Sequence, residues 1–129
     1  MTAWSVSTAG EALIDMVRQS DGRYEPCLGG AVYNLTRALA RQGTPTLYQN
    51  PFSSDAMGRR LAQGVRDAGV HLAQPDAVAQ VTSLAMVGVD AHGQPDYAFY
   101  REGVADRAVS AQAMNAACDA WPGLGVVCT

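Results

Sequence analysis

The sequence contains no lysine; all nine basic residues are arginine. That excludes a Walker-type phosphate loop, in which a lysine carries the working charge. Charge of either sign is scarce, at 16% of residues against roughly 25% in ordinary domains. Nine basic against twelve acidic residues leave a net charge of −3. With a pI near 5.1, such a chain is a poor ligand for polyanions, so no nucleic-acid partner is expected. No stretch approaches the ~18 apolar residues of a membrane span, so no membrane partner is expected either. Met1 to Gly10 offers neither a basic side chain nor a continuous apolar run, and does not read as an export leader. Cysteines are few and odd in number (Cys27, Cys118, Cys128), without metal-ligand spacing. His71 and His92 stand apart, with no partner at ligand spacing. The expectation is a reduced, cytoplasmic protein with no metal site in this chain.

What is present is apolar: 48% of the 129 residues are hydrophobic, enough for one domain or an incomplete part of a larger one. The element types alternate. Trp4 to Ala9 suits a short strand. Ser20-Asp21-Gly22 is a turn signal that folds Arg23 to Leu28 back on the residues before it as a hairpin. Gly29-Gly30 then opens a helix whose apolar face is predicted at Val32, Leu35 and Leu39, with Gly43 as its stop. Thr46 to Gln49 follows as a strand. Ser53-Ser54-Asp55 supplies an N-cap for a helix carrying Met57, Leu61, Val65 and Ala68 on one side. Val81 to Val89 and Asp96 to Arg101 form a second hairpin. A helix starts at Ser110, and Leu124 to Thr129 reads as a buried parallel strand. The pattern predicts an α/β fold, the first half of a doubly wound sheet with an antiparallel β insertion. An uncovered sheet edge of this kind invites association.

Four features could carry chemistry. Gly29 and Gly30 let backbone approach a ligand at a helix N-terminus, where free N–H groups attract oxygen-rich groups; an ordinary entry turn looks the same. Asn34, one turn into the helix, offers a donor and an acceptor to hydroxyls, or bonds locally to backbone. Asp15 lies in an apolar neighbourhood where a carboxylate needs partners; two sugar hydroxyls would suit it, as would a surface position at a strand end. Tyr97, Phe99 and Arg101 share one strand face, which can lie over a sugar ring or simply pack across strands.

The order of three blocks resembles a known family. Gly10-Glu11-Ala12-Leu13-Ile14-Asp15 is similar to the opening motif of the ribokinase (PfkB) family of carbohydrate kinases, in its fructokinase-like branch. The run Gly29-Gly30-Ala31-Val32-Tyr33-Asn34-Leu35-Thr36, then Gly43, Asp55 and Gly58, resembles that family's first signature. Tyr97-Ala98-Phe99-Tyr100-Arg101-Glu102 with Ala105-Asp106 is similar to the lid strand and following segment of fructokinases and 2-keto-3-deoxygluconate kinases. The departures are Val32, Ser53, and the absence of the second signature, a Gly-rich turn ending in the aspartate that acts as base.

The resemblance implies a ribokinase-like three-layer α/β sheet, with residues 1–129 as its N-terminal part and lid strands within 11–28 and 81–101. It implies ATP- and Mg²⁺-dependent phosphorylation of a sugar hydroxyl, fructose giving fructose 6-phosphate. Asp15, Gly29, Gly30 and Asn34 would hold the sugar, while Tyr97, Phe99 and Arg101 would close over it. No catalytic base and no nucleotide site are implied within this chain, which alone is expected to be inactive. A homodimer through the lid strands is implied. The alternatives are a 2-keto-3-deoxygluconate kinase, in which Arg101 grips a substrate carboxylate, and a truncated, non-catalytic sugar-binding or dimerisation module.

Overall fold

The structure, a computed structural model, describes residues 4–129, so the first three residues of the segment tested for an export leader lie outside it. The elements run β1 (Ser5–Thr8), β2 (Leu13–Arg18), β3 (Tyr24–Gly29), α1 (Ala31–Arg41), β4 (Thr46–Tyr48), α2 (Ala56–Asp67), β5 (His71–Leu72), β6 (Ser83–Val89), β7 (Pro95–Tyr100), a 3-10 turn (Ala105–Arg107), α3 (Ala111–Ala120) and β8 (Leu124–Cys128). Among the described residues no helix is long and apolar enough to cross a membrane.

Two four-stranded sheets result. The first, in order β5-β4-β1-β8, is parallel throughout. Its short strands alternate sides. On one face Thr8 meets Thr36 of α1 at 2.7 Å; on the other Ser7 and Gln49 meet Cys118 of α3. Helices therefore cover both faces, the three-layer α/β arrangement expected. The core lies on the α1/α2 side, where Tyr33, Tyr48, Phe52, Leu61, Val65 and Val70 pack together. Each such side chain contributes about 1.5–3 kcal/mol through burial.

The second sheet, β3-β2-β6-β7, corrects an expectation. Both predicted hairpins form, but β2 and β6 pair in parallel, Leu13 opposite Ser83, so the sheet is mixed rather than antiparallel. The first strand of each hairpin leaves the main sheet in the same direction, which makes their pairing parallel. Its face bearing Ile14, Met16, Leu28 and Leu84 rests on the core.

Two further corrections concern burial. In α1 the buried residues are Tyr33 and Thr36, while Leu35 is 41% exposed. Thr36 is tolerated inside because its hydroxyl donates to the Val32 carbonyl and pairs with Thr8. In β8, Val126 and Val127 are exposed, because β8 is a sheet edge and nothing packs on them. Val81 precedes β6 and makes only an isolated bridge to Val104.

Asp55 ties the two sheets. Its Oδ1 accepts from Gly58 N–H at 2.7 Å, capping α2, and from the Thr82 hydroxyl at 2.6 Å; its Oδ2 accepts from Thr82 N–H at 2.8 Å. Burial pushes its carboxyl up, but the hydrogen bonds from Thr82, Gly58 and Ser53 prevail and hold it below its ordinary 3.8. A depressed acid stabilises the fold above that ordinary value, and the contribution disappears as pH falls through the folded pKa. Asp55→Asn is expected to cost about 1–2 kcal/mol near neutral pH and to flatten the acid limb below pH 3.8. Urea unfolding at several pH values measures both.

Candidate functional site

Strand register places the chemistry. Asp15 on β2 is opposite Cys27 on β3 and Ala85 on β6, and Ala85 is opposite Phe99 on β7. These four side chains form one row on one face, with Asp15 and Phe99 two strand spacings, about 10 Å, apart. This face is opposite the one resting on the core.

Asp15 leans over Gly29. A methyl group at position 29 would overlap the Asp15 carboxylate, so the carboxylate has its place only because Gly29 has no side chain. Among the described residues no donor satisfies Asp15. Burial, and then the negative charge of Glu11, push its carboxyl above the ordinary 3.8. This is a carboxylate with no protein donor, seated in the space that glycine leaves on β3.

Gly30 has φ +107°, and a Cβ there would meet the Glu11 carbonyl, so this turn requires glycine. Glycine cannot cap α1 with a side chain, and Glu11 does so from a distance. Ala31 N–H donates to Glu11 Oε1 at 3.3 Å, and Tyr33 N–H to the Glu11 carbonyl at 3.2 Å. Asn34 sits on the first turn of α1, exposed, its backbone N–H bonded to the Gly30 carbonyl. Its amide side chain makes no hydrogen bond among the described residues and is available to a ligand near Gly30.

Tyr97 and Phe99 stack with ring centroids 5.9 Å apart and planes 6° off parallel, and both are exposed on edge strand β7. Arg101 departs from this face. It lies past the end of β7 with its side chain 18% exposed, and its guanidinium is already held. NH2 donates to Asp106 Oδ2 at 3.1 Å and NH1 to Glu11 Oε2 at 3.5 Å. The structure thus brings Asp15, Gly29 and Gly30 together, with Asn34 on the adjoining helix turn and the aromatic pair on the same sheet. Arg101 joins them through Glu11 rather than by presenting a free cation.

Residues not singled out from sequence complete this cluster. Asp106, whose side chain is 3% exposed, also accepts from Ala12 N–H at 3.2 Å. Asn50 accepts from Gly10 N–H at 2.8 Å and donates to the Asp106 carbonyl at 2.7 Å. Tyr48 donates to the Gly10 carbonyl at 2.7 Å, and burial pushes its hydroxyl pKa well up, so it stays a donor. Glu11 and Asp106 lay inside the quoted motif blocks. Arg101 reaches Glu11 across ninety positions of chain, and Asp106, five residues from Arg101, reaches Ala12 across ninety-four.

A cavity of about 690 Å³ opens beside Asp55, Thr82, Leu84, Tyr100 and Arg101. It borders Phe99 and Arg101 but not Asp15, Gly29, Gly30 or Asn34, and its walls are mostly apolar. Volume and chemistry therefore diverge. The Asp15 carboxylate, seated over Gly29, lies outside the cavity. Among the described residues no group of three or more His, Cys, Asp or Glu side chains could hold a metal ion.

No family model matches the chain. It is 33% identical over 105 residues to a fructokinase of Rhizobium leguminosarum bv. trifolii, covering 78% of this chain and 32% of that one. A solved fructokinase from Xylella fastidiosa superposes with a TM-score of 0.79 at 30% identity, over 90% of this chain and 40% of that one. A fructokinase from Vibrio cholerae, solved with fructose, ADP and calcium ion bound, gives 0.68 at 27% identity, over 84% and 36%. The chain spans about a third of the length of the curated relatives it matches. The resemblance to fructokinases of the PfkB type and the ribokinase-like fold expected from the motifs are both found.

Proposed function

We propose that this chain forms the sugar-binding part of an ATP-dependent sugar kinase of the fructokinase type, acting in the whole protein on the 6-hydroxyl of fructose. The observation that carries the reading is the donor-starved Asp15 carboxylate seated over Gly29 at the start of α1. An ionised carboxylate accepts from two vicinal hydroxyls at once, and each such charge-assisted bond is worth about 1.5–3 kcal/mol. Asn34, exposed on the first turn of α1, reaches further hydroxyls, and Tyr97 with Phe99 supply an apolar surface for a sugar ring. Fructose binding by the Vibrio cholerae relative supports this choice.

Phosphoryl transfer also needs a nucleotide, a held Mg²⁺ and a group to orient the nucleophile. Among the described residues no group of three or more His, Cys, Asp or Glu side chains could hold that ion. ADP in the Vibrio cholerae structure supports nucleotide use by the whole protein. Within this chain the work is to bind, orient and screen the sugar, with residues 11–28 and 81–101 acting as a lid that excludes water. The 2-keto-3-deoxygluconate alternative requires Arg101 to grip a substrate carboxylate. Arg101 already holds Asp106 and Glu11, which favours the neutral sugar.

The same reading pairs two copies through the lid. All six residues of β7 are exposed along an unpaired edge, with Tyr97 and Phe99 stacked on it. Three free cysteines support a reducing, cytoplasmic setting.

Saturation-transfer NMR on the 129-residue chain, with sedimentation velocity on the same samples, tests the reading. Saturable binding of fructose in preference to 2-keto-3-deoxygluconate, by a dimer, is expected. Absence of sugar binding by folded protein would remove the proposal, and a sugar-binding monomer would remove the pairing.

A further inference from the structure

Five of the nine arginines, Arg37, Arg41, Arg59, Arg60 and Arg66, lie on α1 and α2, which between them contain one acid, Asp67. In a chain of net charge −3 this is a concentrated reversal of sign. Among the described residues none of the five forms an ion pair.

Three of them converge. A cleft of about 330 Å³ between the helices is lined by Arg37, Arg41, Arg60, Gln63 and Asp67, with Leu28 and Gly64 also bordering it. Asp67 accepts from Gln63 at 2.6 Å, so the one acid present is engaged along its own helix. Three guanidiniums against one carboxylate leave the cleft near +2. Arg37 is held in place: its guanidinium carbon lies 5.5 Å from the centre of the Tyr33 ring, and its Nε is shut off from solvent without an acceptor. Tyr33 supplies no counter-charge. Burial pushes its hydroxyl up to about 12, and it donates to the Leu61 carbonyl.

We propose that this cleft is a second binding site, separate from the sugar site, for a small phosphate-bearing dianion. Guanidinium forks match phosphate oxygens two at a time. A monoester carries close to two negative charges at neutral pH, which balances the cleft. The volume, at the low end for ligand pockets, suits a phosphorylated metabolite rather than a polymer. The proposal stands on the α1/α2 cleft and does not require that the chain bind fructose.

Calorimetric titration of the 129-residue chain at fixed ionic strength, with inorganic phosphate and with glucose 6-phosphate, tests it. Saturable binding is expected, weakened at least ~10-fold by Arg37→Gln and by Arg60→Gln. Arg18→Gln and Arg23→Gln on the β2–β3 hairpin should leave it unchanged. Arg41 and Arg60 are exposed, so Arg41→Gln and Arg60→Gln keep the experiment readable if Arg37→Gln unfolds the chain. Excess fructose should not displace the anion. Tighter binding of the ester than of phosphate marks the source as a metabolite, and equal binding marks it as the free ion; both support the site. No saturable binding, binding indifferent to these arginines, or loss only on Asp15→Asn would overturn it.

Discussion

Arg101→Ala is expected to destabilise the fold by about 3–5 kcal/mol, a large share of a domain's stability. The loss comes from what is left behind. Asp106 is almost wholly buried, with Oδ2 shared between Arg101 and Ala12 N–H and Oδ1 without any partner. Removing the guanidinium strands this carboxylate away from water. It also frees Glu11, which caps α1 in place of a side chain at Gly30. Urea unfolding of Arg101→Ala, and of Arg101→Ala combined with Asp106→Asn, separates the causes. The second change should recover much of the loss, because an amide is far cheaper to bury than an unpaired charge. Arg101→Lys should recover only part, since one ammonium cannot serve two carboxylates as a fork does. A loss below about 1 kcal/mol for Arg101→Ala would place the pair among ordinary surface ion pairs.

Asp15→Asn is expected to act in the opposite sense on stability while reducing fructose affinity roughly 100-fold, the worth of about one strong charge-assisted hydrogen bond. Burial first, and the nearby Glu11 charge second, raise the Asp15 pKa above 3.8. A raised acid binds its proton more readily in the folded state. Ionising it therefore lowers stability as pH rises from the ordinary value through the folded one, and the neutral amide escapes that penalty. Hydroxyl donors favour the ionised form, so fructose affinity in the parent chain should weaken as pH falls through the Asp15 pKa. In Asp15→Asn that dependence should vanish. Thermal melts and NMR titrations at pH 4 to 7 read both. An asparagine variant binding as tightly as the parent would remove Asp15 from the site.

Much of this was legible in the sequence because the signals were local. Turn residues at Ser20-Asp21-Gly22 and Asp90 to Pro95 announced both hairpins, and Asp55 announced the cap of α2. Residue type and neighbourhood single out Gly29 and Asp15, and the β2–β3 register makes them diagonal neighbours in contact. What escaped was non-local. The parallel seam between β2 and β6 has no signature in either strand, since pairing direction depends on how the main sheet delivers them. The burial of Thr36 in place of Leu35 depends on a hydroxyl partner at Thr8. The sequence places Arg101 on the face closing over the sugar, because Glu11, ninety positions away, reaches it only after folding.

The seam between β2 and β6 also sets an order of assembly. Each hairpin closes a short loop and can form while the rest of the polypeptide is loose. Joining them waits on the intervening helices and strands, because Leu13 meets Ser83 only once the segment between them has compacted. The aspartate platform and the aromatic edge are carried by different hairpins, so the site comes into existence only when this non-local pairing forms. Nascent protein would display its stacked aromatics well before it could recognise any ligand with them.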